Sequence, residues 1–339
     1  MTRHLLTAAL LLCASLCCAQ AVTLPPSAAE LSEVNEDGDS ELQVWLDASL
    51  GSGETVRLPS GVITIHKPLR IRRTHGGIVE GSGPPFASRD SKSGWRIHPE
   101  VRQCTTTITT TDPTQPVIII EVAKGIELRN FGVETTGVGI LYRHVKGWAA
   151  QNTHLHRIAF HGCKVGFQAG ELATDHNAAD VTFYSPQFYR CETGLEVNHQ
   201  QGVNYLFDGL PFFGGVNRAV VFNEGGFSHL ENCTGFAVGT WLTINGGGSN
   251  LQPSRITHLY SDRTKEDPPP VIVDASGTDS VVRVIVDGVK VTQHGKEDAL
   301  GRGHSYYRAG KASKIRVRDN DLNTYPAGGV YEPFNQQEP

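Results

Sequence analysis

The sequence predicts an all-β chain wound as a solenoid of stacked rungs, and three observations predict it. From Thr55 onward, short runs of period two follow one another, punctuated by Gly and Pro, with no helical segment between them. That order argues against a doubly wound α/β sheet, which needs a helix after each strand. A unit of the form Phe-x-x-Cys-x-x-Gly recurs, and an amphipathic segment stands ahead of the first strand.

The elements follow in chain order. Residues 1–21 read as a secretory signal peptide: Arg3 and His4 lead an uncharged apolar run from Leu5 to Leu16, and Ala19-Gln20-Ala21 offers the small residues of a cleavage site. Export, to the medium or a periplasm, is therefore expected. The apolar run is short of the roughly 20 residues a membrane span needs. Residues 22–36 form a leader. At about 40–50, Leu42, Trp45, Leu46 and Leu50 fall on one helical face, with Asp39 or Ser40 as cap. The acids around Gly38 fail as a calcium loop, because the twelfth position would be Val44 rather than Glu. Strands are expected at Thr55–Leu58, Val62–Ile65, Pro68–Ile71 and Gly77–Gly81.

Asp37-Gly38-Asp39-Ser40, Leu42-Gln43, Trp45-Leu46, Val56-Arg57-Leu58-Pro59-Ser60-Gly61, Pro68-Leu69-Arg70-Ile71 and Gly81-Ser82-Gly83 together resemble the amino-terminal portion of the pectate lyase-like superfamily. The resemblance implies a single-stranded right-handed parallel β-helix over residues 37–295, with the helix at 40–50 capping its open first rung. It also implies a polysaccharide as partner. Asn-Thr-Asp, Asp-Asp, Gly-His-Gly, Arg-Ile-Lys and the lyase Arg-x-Pro-x-x-Arg are all missing, so no catalytic residue carries over. Residues 296–339, Gly-rich and basic, read as a loose carboxyl-terminal tail.

The repeat runs through Phe160–Phe167, Phe188–Leu195, a degenerate Phe212–Ala219 and a shorter Leu230–Phe236. Its markers at 163, 191, 215 and 233 are separated by 28, 24 and 18 residues. Stacking at about 4.8 Å per rung makes Cys163 and Cys191 an inward ladder of small apolar groups. The absence of Cys-x-x-Cys and of helically spaced histidines argues against a metal site, and no cofactor is predicted. Asn232-Cys233-Thr234 fits a glycosylation sequon.

The same alignment places Glu171, His199, Glu224 and Thr240 in one column, beside Gly170, Asn198, Asn223 and Gly239. Glu171 and Glu224 would then stand two rungs, about 9.6 Å, apart. An inverting glycosidase holds its acid and base roughly 6.5–9.5 Å apart to admit a water. His199 between them would tune both. Asp180 and Asp208, with Asp175 and His176, form a second polar cluster. Asn198 and Asn223 can contact substrate or stack as a turn ladder, and Tyr184, Tyr205 and Trp241 can offer sugar-stacking faces. Three functions stay open: a glycoside hydrolase using paired carboxylates, a non-catalytic glycan-binding or surface scaffold, and a polysaccharide lyase. A net charge of −5 argues against a nucleic-acid partner. The solenoid could act as a monomer or a trimer.

Overall fold

A computed structural model describes residues 26–36, 38–51, 55–72, 74–90, 94–145, 150–171, 178–246, 253–263, 268, 270–278, 282–293, 306–309, 314–318 and 331–333. The expected signal peptide lies outside the described residues. Three all-parallel sheets, of 11, 9 and 9 strands, stack rung upon rung as a right-handed β-helix. We call them sheets I, II and III in the order in which the chain visits them. One turn runs from Thr153–His156 in sheet I through Ala159–His161 in sheet II to Val165–Ala169 in sheet III, and Val181–Tyr184 returns to sheet I.

Two short helices, α1 (Ala28–Leu31) and α2 (Glu41–Gly51), close the first rung. Ser40 caps α2, its Oγ accepting the Gln43 N–H at 3.3 Å. Leu42, Leu46 and Leu50 are buried against the core, with Trp45 half-buried beside them. The leader and α2 also satisfy backbone groups on the open first strands, which would otherwise stand unpaired. The Gln43 amide bonds both backbone groups of Arg70 in sheet III, at 2.6 and 3.1 Å. The Ser32 hydroxyl accepts the Thr64 N–H of sheet II at 2.9 Å.

Inside, register puts identical positions above one another. Phe160, Phe188 and Phe213 of sheet II stack at 4.9 Å with interplanar angles of 11° and 9°. Gly166 and Gly194 of sheet III make room for them: a Cβ at Gly166 would come within 2.8 Å of the Phe188 ring. One rung later the volumes swap. Gly235 occupies the phenylalanine position and Trp241 the glycine position, and a Cβ on Gly235 would meet the indole at 2.4 Å. This swap corrects the fourth repeat. Gly235 looks like the successor of Gly194 in sequence, but Trp241 is. Cys163 and Cys191 are buried register neighbours, as expected. Cys233 lies instead at the corner before sheet II, in a column with Pro186 and Pro211. All four described cysteines are free thiols.

The coil also runs past residue 295. Tyr307–Ala309 joins sheet III, and Lys314–Arg318 and Tyr331–Pro333 join sheet I. The basic composition of that stretch hides a period of two. In Lys314-Ile315-Arg316, Ile315 is buried while Arg316 is exposed. No helix among the described residues is long and apolar enough to cross a membrane.

Candidate functional site

The corner from sheet III to sheet I holds the column expected from the sequence. Its fourth member is Gly246 rather than Thr240, because Ile244 pairs with Phe222. Asn198, Asn223 and Asn245 form an amide ladder: Asn223 donates to Asn198 at 2.7 Å and Asn245 to Asn223 at 2.8 Å. These amides are spent on one another. Glu171 is exposed and ion-paired to Arg143 at 2.7 Å; Arg143 also holds Glu121 at 2.9 Å, and Glu121 holds Arg70 at 3.1 Å. His199 is wholly buried, its Nε2 within 2.9 Å of the Ala178 carbonyl and 3.3 Å of the Tyr205 hydroxyl. Glu224 is half-buried on the next rung.

The second expected cluster is not brought together. Asp180 sits in a left-handed turn (φ 59°) ahead of its sheet I strand and accepts the Asn204 amide at 2.6 Å. Asp208 ends the next strand of that sheet, at the opposite edge. Asp175 and His176 lie outside the described residues. Tyr205 and Trp241 are fully enclosed, so they present no stacking face to solvent. Trp241 fills the core position vacated by the missing ring of Gly235, and its indole N–H donates to Ser261. Tyr184 does face out, 44% exposed.

Tyr184 and Asp208 belong to a different arrangement, the outer face of sheet I. Period-two alternation sends His154 and His156, Thr182 and Tyr184, Leu206 and Asp208, His229 and Glu231, then Arg255 and Thr257 outward on successive rungs. The His156 ring lies 5.5 Å from that of Tyr184 and 6.3 Å from that of His154. The register pairing Leu206 with His229 and Phe207 with Leu230 carries on to set Asp208 and Glu231 on neighbouring rungs. That is a separation of about 4.8 Å. His229 accompanies them, 3.1 Å from the Thr257 hydroxyl. Burial pushes the His229 imidazole below its ordinary range and Arg255 pushes it further, against the pull of Glu231 and Asp208. Glu231 and His229 were not among the residues chosen from the sequence. Their signal was the alternation of Ser228-His229-Leu230-Glu231 aligned on sheet I rather than on glycines.

The outer face of sheet II is built differently. Between Glu80 and Thr106 the chain leaves the coil, forms an antiparallel hairpin (Ala87–Asp90 with Gly94–Ile97) and a helix α3 (Pro99–Cys104), and lies back over this sheet. At Gly132 a Cβ would strike the Pro85 ring at 2.5 Å. Arg102 of α3 grips Glu134 at 2.5 and 2.8 Å, and His161 on the next rung approaches the same carboxylate at 3.4 Å. Burial alone would raise the Glu134 pKa; hydrogen bonds from His161 and Arg102 outweigh it and hold the carboxyl at about 2. Next in that column, burial pushes Tyr189 up to about 12.

No family model matches the chain, and no curated protein matches it. Among solved structures, the fold is similar to the Agl-KA catalytic domain, with a TM-score of 0.51 and 12% identity over 88% of this chain. This chain spans 57% of that domain's length. An endo-xylogalacturonan hydrolase from Aspergillus tubingensis also aligns, with a TM-score of 0.42 and 10% identity over 91% of this chain and 94% of that one. The chain has a single-stranded right-handed parallel β-helix fold.

Proposed function

We propose that this protein is an exported glycan-acting β-helix that hydrolyses a polysaccharide laid across the rungs of sheet I. The observation that carries the reading is the pair of outward carboxylates, Asp208 and Glu231, on adjacent rungs of an open face. A retaining glycosidase needs two carboxyl groups about 5–5.5 Å apart, one as acid and base and one as nucleophile. Rung spacing sets their backbone positions about 4.8 Å apart, which allows carboxyl groups on parallel side chains to approach that separation. Tyr184, one rung before Asp208, offers a ring for sugar stacking, and His156 extends the platform. The pair Glu171 and Glu224 is the weaker candidate, because Arg143 already neutralises Glu171.

One observation favours a second reading, a glycan binder without catalysis: the Asp208 carboxylate also accepts the Gly209 N–H and so serves its own turn. A single screen separates the two. The mature chain is incubated with neutral and acidic polysaccharides while reducing ends, unsaturated products and binding are followed together. Hydrolysis predicts reducing ends without ultraviolet-absorbing products, abolished by Asp208→Asn and Glu231→Gln and kept by Glu171→Gln and Glu224→Gln. The reverse pattern moves the site to the sheet III corner. Binding with no released ends supports the scaffold, and ultraviolet absorbance would indicate a lyase.

A further inference from the structure

A groove crosses the corner between sheets II and III, on the far side of the coil turn from sheet I. Its floor is Cys163 and Cys191, and its rim carries Thr136, Lys164, Arg190 and Asn217. Register explains its shape. Gly162, Arg190 and Gly215 occupy the same turn position on three successive rungs, all with left-handed backbone (φ 70°, 53° and 65°). The glycines leave the space on either side of Arg190 empty. A long side chain at a left-handed position is disfavoured relative to glycine, so Arg190 is held there against its backbone preference.

The charges are equally uneven. Glu192, stacked between Lys164 and Asn217, is engaged by Arg218 at 3.4 Å. Lys164 and Arg190 have no acidic partner or side-chain hydrogen bond among the described residues. By contrast, Arg70, Arg102, Arg129 and Arg143 are all ion-paired. The groove thus collects an ammonium, a guanidinium, an amide and a hydroxyl around one concave space, together with the Glu192 carboxylate that Arg218 engages, in a protein of net charge −5.

We propose that this groove is a binding site for a tetrahedral oxyanion, a sulfate or phosphate group, either free or carried as a sugar ester. The two charged donors, Lys164 and Arg190, stand on adjacent rungs with Thr136 and Asn217 on the rungs beyond them, and a tetrahedral oxyanion can turn oxygens to both charges at once where a planar carboxylate cannot as readily. The site is independent of hydrolysis on sheet I, and its test needs no turnover.

Titration calorimetry of the full mature chain with inorganic sulfate and with inorganic phosphate, at ionic strength fixed by sodium chloride, should show saturable binding. Arg190→Gly restores the residue type of the neighbouring rungs, so its melting temperature should rise while affinity falls at least tenfold. Lys164→Gln should weaken binding without changing the melting temperature. A sulfated monosaccharide that binds more tightly than inorganic sulfate assigns the groove to esters; equal affinity assigns it to the free anion. The proposal is overturned if both variants bind as the parent does, or if added chloride displaces sulfate equivalently at equal concentration.

Discussion

Sheets I and II present the same kind of surface to solvent, two outward columns per strand, and the chain has treated them oppositely. On sheet II, Glu134 is gripped by Arg102 and His161 beneath an inserted hairpin and helix. On sheet I, Asp208 and Glu231 stand on adjacent rungs beside a half-buried imidazole, with Tyr184 and His156 continuing the line. The difference teaches that a carboxylate on a β-helix is given its role by what covers it. A guanidinium clamp turns it into a fastener, whereas an uncovered column leaves it available for chemistry.

The largest expected effect is on turnover: Glu231→Gln or Asp208→Asn should lower hydrolysis on the order of 10³-fold, the range of a lost acid–base or nucleophilic group, with an unchanged melting temperature. An unfolded variant would make these acids structural like Glu134. Next, Glu134→Gln leaves Arg102 without its carboxylate and should cost about 2–3 kcal/mol in denaturant unfolding while sparing turnover. A loss of activity with stability intact would place function on sheet II.

The pH dependence follows from the same ion pair. The folded Glu134 carboxyl lies at about 2 against an ordinary 4.5. Its stabilisation is therefore complete above pH 4.5 and is lost as pH falls toward 2, on the order of 3 kcal/mol across that window. Unfolding measured from pH 6 to pH 2 should show this slope in the parent and not in Glu134→Gln. His229 has the same sense over a higher pH window, because its folded pKa lies below the ordinary 6.5. The unfolded chain binds the proton first, so stability should fall as pH drops below 6.5, and His229→Gln should remove that decline. The smallest effect is Tyr184→Ala. It should weaken glycan binding roughly tenfold or less, read as KM with kcat nearly unchanged.

Much of the scaffold was legible because stacking repeats itself in the chain. The Phe160 and Phe188 units, the Cys163–Cys191 neighbours and the cap helix with its Leu42, Leu46 and Leu50 face are local patterns, each enforced by one period. The alignment failed where Gly235 and Trp241 exchange volumes, since a swap that conserves the core destroys the motif. That one slip misplaced Cys233 and put Thr240 where Gly246 belongs. Tyr205 and Trp241, chosen for their rings, proved to be core for the same reason. Aromatic residues serve either face of a strand equally well, and only register tells which.

By itself the sequence determined the winding: short strands of period two, turns that admit left-handed residues, and an amphipathic start leave the chain few ways to bury its apolar side chains other than by stacking. Only the tertiary structure decided which polar groups meet. Corner loops vary in length, so residues 23 apart in one place (Asp208 and Glu231) and 27 apart in another (Glu134 and His161) become vertical neighbours. The inserted hairpin and helix, folding back from a distant part of the chain, then determined which of those neighbours stay exposed to water.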